Sequence, residues 1–266
     1  MKVKKYLPSL ITLLNLFLGF LSILYIQKGN FILACHLILI AALLDSFDGK
    51  LARKIGVVSS FGKEIDSLAD VVSFCLAPSF LVFNILYNAL LIPPITEYIF
   101  LYIALISSLP VLMGAIRLAR FNVEHDEEKN KNYYVGLPSP MAAISICSII
   151  LLKLQLLDVF YNSGPSEINF FTFNIILPLI ILLSFLMIGK IQFSKFPLFS
   201  FSKGRTNSIR LILMILSILI IVVSSLMDFL HISLFIFSAY YILSNTAFHF
   251  INNSIKLNQL REKLKN

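Results

Sequence analysis

Four aspartates stand close together in the segment DSFDGKLARKIGVVSSFGKEIDSLAD, which covers residues 45–70. Asp45 and Asp48 are three residues apart, whereas Asp66 and Asp70 are four apart. On a helix, residues at either spacing share one face. Long apolar stretches flank the segment, and we interpret it as two helices joined by a short polar loop. If the two faces meet, four carboxylates converge on one small volume.

Carboxylates that converge at a membrane boundary need a compensating charge. An aspartate at the centre of a membrane helix costs roughly 2.5–3.5 kcal/mol even on a lenient insertion scale. Carboxylate oxygens suit Mg2+ or Mn2+, and a cluster of three or four carboxylates can hold two ions. Two ions about 3.5–4 Å apart form a clamp for in-line displacement at phosphorus. The aspartates therefore predict a site with two Mg2+ or Mn2+ ions that acts on a phosphate ester.

Small and basic residues lie between the two aspartate pairs. Gly49 and Gly62 have no side chains, so a phosphate or nucleotide can approach the backbone there. Arg53 follows on the helix of the first pair and can bind a phosphate oxygen. The alternative is that the aspartates are ordinary charges at helix ends that face water. The fixed spacing of all these residues argues against it.

The segment resembles the signature of the CDP-alcohol phosphotransferases, whose fixed positions are all present: Asp45, Asp48, Gly49, Ala52, Arg53, Gly62, Asp66 and Asp70. The resemblance implies an integral membrane enzyme that moves a phosphatidyl or similar group from a CDP-linked donor to an alcohol and releases CMP. It implies that the four aspartates are metal ligands and that Asp70 is also the general base. The residues between the pairs are implied to line the CDP site: Gly49, Ala52, Arg53 and Gly62. It also implies a homodimer.

The composition is that of a polytopic membrane protein. Of the 266 residues, 58% are hydrophobic and 14% are charged, and the mean hydropathy is +0.87. Soluble domains average about 45–50% apolar and about 25% charged residues. We predict an all-α bundle of about eight membrane helices. The predicted spans are residues 7–27, 31–50, 67–91, 97–117, 138–160, 170–189, 208–228 and 230–249.

Lysines and arginines alternate between the loops of this arrangement. They gather at the N-terminus, after every second span and in the C-terminal tail, whereas the other loops carry few. By the positive-inside rule, both termini and the aspartates face the cytoplasm. The net charge of +8 suits a surface of anionic membrane lipid. Because the charge is spread over separate loops, we do not expect nucleic acid as a partner.

The first predicted span carries polar residues on one face. Thr12 and Asn15 are three residues apart, and Gly19 follows four residues later. Small and polar residues of this kind let membrane helices approach closely. The other interpretation is that this face contacts the nucleotide, which makes Thr12 and Asn15 candidate nucleotide-binding residues. The sequence leaves both interpretations open.

Several polar residues are candidates for binding the acceptor or a phosphate. Arg117 and Arg120 share a helix face at the expected cytoplasmic boundary and can hold a phosphate or a carboxylate. Arginines at such a boundary also snorkel towards the membrane surface, so the pair does not identify the acceptor. Asn122 follows them, and Gly136 lies in a Gly- and Pro-rich stretch that breaks regular structure before the next span. Ser67 in the aspartate segment completes the set.

Three segments narrow the resemblance to the phosphatidylserine synthases of this superfamily: GKEIDSLADVVSF at 62–74, RLARFN at 117–122 and GLPSPMAA at 136–143. The narrower resemblance implies CDP-diacylglycerol and L-serine as substrates, and phosphatidylserine and CMP as products. The chain departs from that group at two positions. Ser9 replaces the usual Asn, and Cys75 replaces a Gly at which close backbone packing is expected.

We divide the chain into a six-helix catalytic core at residues 1–192 and an accessory part at residues 193–266. The accessory part has a basic and aromatic segment at 193–203, expected at the membrane interface, then two membrane helices and a basic tail. Two other functions stay open. One is transfer to another acceptor, such as glycerol 3-phosphate or inositol phosphate. The other is cation-coupled transport, for which intramembrane carboxylates are also typical.

Overall fold

The computed structural model describes residues 3–55, 60–89, 97–123, 133–159, 172–194 and 205–263. Within these ranges the chain is almost entirely helical, which confirms the all-α class. The helices are α1 (Val3–Gln27), α2 (Phe31–Ile55), α3 (Ser60–Asp70), α4 (Ala77–Ala89), α5 (Glu97–Ser107), α6 (Leu109–Val123), α7 (Ser139–Val159), α8 (Leu177–Ile188), α9 (Arg205–Leu226) and α10 (Leu230–Lys263). Two π-helical turns, Val71–Leu76 and Thr172–Ile176, lead into α4 and α8.

The described helices include several that suit a membrane. Four helical stretches are long and apolar enough to cross one: Pro8–Gln27, Phe61–Ala89, Glu97–Val123 and Leu230–Ile251. Four shorter apolar helices lie at Phe31–Phe47, Ser139–Gln155, Thr172–Ile188 and Ile215–Ser225. Each predicted span overlaps one of these helices. The long apolar helices indicate a multi-pass membrane protein, whereas the count of eight crossings stays a prediction.

The turn between α1 and α2 follows directly from its sequence. Gly29 has a φ of 77°, a left-handed conformation that glycine adopts at no steric cost. Asn30 then caps α2, because its Oδ1 accepts a hydrogen bond from the Leu33 N–H at 3.1 Å. The turn lays α2 back along α1. The later part of α2, with Asp45, thereby returns towards the end of the bundle where α1 begins.

The core lies between helices whose inward faces are apolar. Phe74, Leu81 and Ile150 are each at most 1% exposed, and they come from the first π turn, α4 and α7. The outward faces carry large apolar side chains instead, such as Leu10 and Leu105, which are 63% and 66% exposed. Apolar side chains on the outside suit contact with lipid, whose core cannot solvate polar groups.

At the π turn Val71–Leu76, glycines of α1 and α6 allow both helices to pack closely against the turn. A Cβ on Gly19 of α1 would lie 2.7 Å from the Cα of Ser73, so only glycine fits there. A Cβ on Gly114 of α6 would lie 3.1 Å from the Cβ of Cys75. The close packing expected at position 75 is therefore present. The residue at that position is Cys75, and the glycine that allows the approach is Gly114 on the facing helix α6.

A small sheet joins the core to the C-terminal part. Strands β1 (Tyr133–Val135) and β2 (Gln192–Ser194) are antiparallel, and Tyr134 pairs with Phe193. Phe193 is fully buried, because it pairs with Tyr134 and stacks on Tyr241, whereas its expected position at the membrane interface stays a prediction. The rest of the expected interfacial segment lies outside the described residues. The predicted boundary between residues 192 and 193 falls inside β2, and the division into two parts stays a prediction.

Candidate functional site

Three of the four aspartates meet where α2 approaches α3. One carboxylate oxygen each of Asp45, Asp66 and Asp70 lies within 4.8 Å of the other two. Asp45 comes from α2, and the other two come from successive turns of α3. The convergence expected from the spacing is therefore present for these three. Four other predicted residues lie in a part of α2 whose side chains are outside the described set: Asp48, Gly49, Ala52 and Arg53.

The carboxylates fit a hard divalent cation. Oxygen atoms are the ligands that Mg2+ and Mn2+ prefer, and three of them at this spacing can reach a common ion. The Oδ1 atom of Asp70 is buried and accepts no hydrogen bond from the described residues. A buried carboxylate oxygen without a donor is costly unless a cation compensates it. The site therefore favours a bound metal, and the geometry does not select the ion.

Ser139 is the site residue that the sequence did not single out. Its hydroxyl donates to Oδ2 of Asp70 at 3.4 Å and accepts a hydrogen bond from Nη1 of Arg117 at 3.2 Å. Ser139 is fully buried, and Arg117 is 7% exposed. One hydroxyl thus links a buried guanidinium to the carboxylate of Asp70. A signal was present, since Ser139 is the serine of GLPSPMAA and begins α7.

Arg120 turns to a different partner from Arg117. Its Nη1 donates to the carbonyl oxygen of Ile188 at 3.2 Å, at the C-terminus of α8. A cation there compensates the unpaired carbonyls of the helix end. The second terminal nitrogen, Nη2, is buried and has no hydrogen-bond partner among the described residues. Arg120 therefore combines a structural bond with a donor that can still bind an anionic group.

Two more of the predicted acceptor residues lie against each other. Asn122 Nδ2 donates to Ser67 Oγ at 3.0 Å, and the Ser67 hydroxyl lies 3.2 Å from Asn122 Oδ1. This contact joins the end of α6 to α3 one residue after Asp66. The backbone conformation explains why residue 136 is a glycine: its φ is 81°, which is left-handed, and its N–H donates to the Ile191 carbonyl at 2.8 Å. Its direct contact with an acceptor stays a prediction.

The predicted nucleotide residues of α1 are both buried. Thr12 donates to the Pro8 carbonyl at 3.1 Å, a bond within the helix. Asn15 is fully buried, and neither its Oδ1 nor its Nδ2 has a hydrogen-bond partner among the described residues. Its carbonyl oxygen accepts from Ser73, three residues after Asp70, at 2.9 Å. A buried amide without a partner is costly, so a ligand that offers both a donor and an acceptor would stabilise it.

Known proteins resemble this chain over most of its length. The family model for CDP-alcohol phosphatidyltransferase matches residues 5–237. The CDP-diacylglycerol–serine O-phosphatidyltransferase of Helicobacter pylori is 36% identical over 191 residues, which cover 71% of this chain and 72% of that protein. The enzyme of the same name from Bacillus subtilis is 35% identical over 193 residues, covering 72% of this chain and 91% of that protein.

An archaeal relative has a related name. The archaetidylserine synthase of Methanothermobacter thermautotrophicus is 43% identical over 148 residues, which cover 54% of this chain and 58% of that protein. Three of the four aspartates of the family signature also converge in the structure, as a shared metal site requires. On the family match and this geometry, the chain belongs to the CDP-alcohol phosphatidyltransferase family, a family of transferases.

Proposed function

We propose that the protein is a membrane phosphatidyltransferase that makes phosphatidylserine and CMP from CDP-diacylglycerol and L-serine. The observation that carries the proposal is the convergence of Asp45, Asp66 and Asp70 within 4.8 Å. Carboxylates in this arrangement suit the metal-assisted displacement at phosphorus that the family performs. The names of the relatives support serine as the acceptor.

The donor lies with its diphosphate at the aspartates and its acyl chains between the membrane helices. Asp45, Asp48, Asp66 and Asp70 would hold two Mg2+ or Mn2+ ions, which neutralise the diphosphate when bound. Arg53, Gly49, Ala52 and Gly62 line the nucleotide in this proposal. Thr12 and Asn15 complete the site, because the buried amide of Asn15 offers a donor and an acceptor to the base.

Asp70 acts on the acceptor. A serine hydroxyl is a weak nucleophile and needs a base within hydrogen-bond reach. Asp70 takes the hydroxyl proton, the serine oxygen attacks the β-phosphorus, and the bond to CMP breaks in the same displacement. The contacts with Ser139 and Arg117 hold the carboxylate of Asp70 for this step.

The carboxylate of the acceptor needs a cation, and the two arginines are the candidates. Arg120 Nη2 is buried without a hydrogen-bond partner among the described residues, which suits a bound carboxylate. A guanidinium is the preferred partner of such a group. Ser67, Asn122 and Gly136 stay candidates for the wall of this pocket. The positive-inside pattern supports a site and two termini in the cytoplasm, where serine and CMP are exchanged. A homodimer is part of the proposal by family resemblance.

A CMP-release assay with a panel of alcohols tests the proposal. The full-length protein in lipid receives CDP-diacylglycerol with L-serine, glycerol 3-phosphate or inositol phosphate in parallel. We expect the highest kcat/KM with L-serine. A higher value with glycerol 3-phosphate would assign the protein to another acceptor. CMP release with none of the alcohols would favour the cation-coupled transporter.

A further inference from the structure

Helix α10 covers the free edge of strand β2 with side chains. The Ser194 N–H donates to Asn245 Oδ1 at 2.8 Å, and the Gln192 N–H donates to His249 Nδ1 at 3.3 Å. The Tyr241 hydroxyl donates to the Ser194 carbonyl at 3.2 Å. These three α10 residues stand at every fourth position and form one stripe, which we call the α10 ladder.

The spacing of the contacting residues along α10 matches the spacing of their partners along β2. Four residues of an α-helix rise about 6 Å, and two residues of a strand rise about 6.6 Å. Gln192 and Ser194 are two residues apart, so their N–H groups face α10 at nearly the spacing of His249 and Asn245. The helix thus occupies the position of a third strand. It satisfies the edge of the sheet without offering a new edge.

An apolar contact supports the same join. Phe193, between the two bonded residues of β2, is fully buried. Its ring stacks on Tyr241, with centroids 5.9 Å apart and planes at 22°. Both the polar and the aromatic contacts of β2 therefore come from the same face of α10.

Strand β2 leads to the candidate site along two short paths. Through β1, Val135 pairs with Gln192, and the next residue, Gly136, donates to Ile191 at 2.8 Å. Three residues later Ser139 contacts Asp70. Along the chain itself, β2 begins four residues after Ile188, whose carbonyl accepts the bond from Arg120. Movement of β2 would therefore reach both Ser139 and Arg120.

We propose that α10 is a clamp that positions the catalytic site. The ladder residues Tyr241, Asn245 and His249 hold β2 and β1 in register, so that Ser139 meets Asp70. They contact β2 rather than the aspartates, and are therefore positioning residues. The clamp gives the accessory C-terminal part a role in catalysis. The activity measured below rests on the proposed function, whereas the backbone measurement does not.

Four variants of the full-length protein in lipid test the clamp. Asn245→Leu removes the acceptor of the Ser194 N–H, and Asn245→Asp keeps an acceptor oxygen at that position. Tyr241→Phe is milder, because it removes the hydroxyl that bonds Ser194 and keeps the stacked ring. Thr246→Val is the matched control: its hydroxyl bonds Ile242 within the same helix, at 2.5 Å.

Two quantities are measured: amide hydrogen exchange across residues 189–194, and kcat and KM for CMP release. For Asn245→Leu we expect exchange to rise and kcat to fall, each about tenfold, the size that one lost hydrogen bond allows. KM for CDP-diacylglycerol should stay within about twofold, because α1 to α3 bind the donor. Tyr241→Phe should shift exchange and kcat in the same direction by less. Asn245→Asp should restore most of both, and Thr246→Val should behave as the parent protein.

Two results would overturn the clamp. One is exchange in Asn245→Leu and Tyr241→Phe equal to that of Thr246→Val, which would mean that the ladder does not hold β2. The other is raised exchange with unchanged kcat, which would mean that β2 does not position the site. If the parent protein releases no CMP with serine, the proposed function fails. The exchange measurement then still decides whether the ladder holds β2, and kcat is measured with the alcohol that does release CMP.

Discussion

At the scale of the residue, the buried polar groups separate binding roles from packing roles. Asn15 is buried, and its side-chain amide has no hydrogen-bond partner within the part of the chain that the structure describes. Ser22 on the same helix is also buried, but its hydroxyl donates to the Gly19 carbonyl at 2.7 Å. An unpaired buried amide reduces stability, whereas a satisfied hydroxyl does not. The contrast within one helix favours a ligand at Asn15.

Replacing Asn15 by leucine should separate stability from binding. Asn15→Leu removes the cost of the unpaired amide, so we expect an unchanged or raised Tm. The same change should raise KM for CDP-diacylglycerol about tenfold or more, because a donor and an acceptor for the nucleotide are lost. Ser22→Ala is the control and should leave KM unaltered. Equal KM values in the two variants would remove Asn15 from the nucleotide site.

Ser139 offers a second residue-scale prediction. Ser139→Ala breaks the link between Arg117 and Asp70, and we expect kcat to fall about tenfold while KM for CDP-diacylglycerol changes little. Ser139→Thr keeps a hydroxyl and should recover part of kcat. Ser145→Ala on the same helix is the matched control, because its hydroxyl bonds the Met141 carbonyl at 2.7 Å. If both alanine variants have the same kcat, Ser139 does not orient Asp70.

At the scale of the element, the site depends on how closely the helices cross at the π turn. Gly114 of α6 lies over Cys75, and Met187 Cε would be 3.2 Å from an added Cβ. Close contacts of this kind bring Arg117, one turn further along α6, to Ser139. π turns inside helices are frequent at functional sites, and this one begins directly after Asp70.

A larger side chain at Gly114 should destabilise the helix bundle, and a smaller side chain at Cys75 should restore the stability. Gly114→Ala overpacks the contact, and we expect a loss of about 1–3 kcal/mol in the free energy of unfolding, measured as a lower Tm. Adding Cys75→Gly makes room on the facing turn and should recover most of the loss. Ala115→Leu, at an exposed position of the same helix, should leave Tm unchanged. A Gly114→Ala variant as stable as the parent would contradict the close crossing.

The elements also show what the sequence could and could not predict. Helical periodicity alone puts Asp66 and Asp70 on one face of a helix. The short sequence between the two predicted helices was enough to predict that Asp45 lies near them. The contact of Ser139 with Asp70 joins positions 69 residues apart and depends on the tertiary crossing. Strands of three residues carry no usable periodicity, so the pairing of β1 with β2 was not predicted.

At the scale of the whole molecule, a membrane bundle brings distant segments together around the aspartates. α1 accepts a hydrogen bond from Ser73, just after Asp70, through the Asn15 carbonyl. α2 and α3 supply the carboxylates, and α6 and α7 meet at Asp70 through Arg117 and Ser139. The first and last of these segments are far apart in the chain. The site therefore exists only in the folded bundle, and the family match to residues 5–237 covers all of it.

The central claim is that the aspartate cluster works with a divalent cation, and metal removal tests it most directly. The measurement is CMP release from CDP-diacylglycerol and L-serine by the full-length protein, with Mg2+ or Mn2+ present and then with excess EDTA. We predict that EDTA stops the release and that added metal restores it, because the carboxylates of Asp45, Asp66 and Asp70 cannot stabilise the diphosphate without a cation. Undiminished CMP release in excess EDTA would contradict the account.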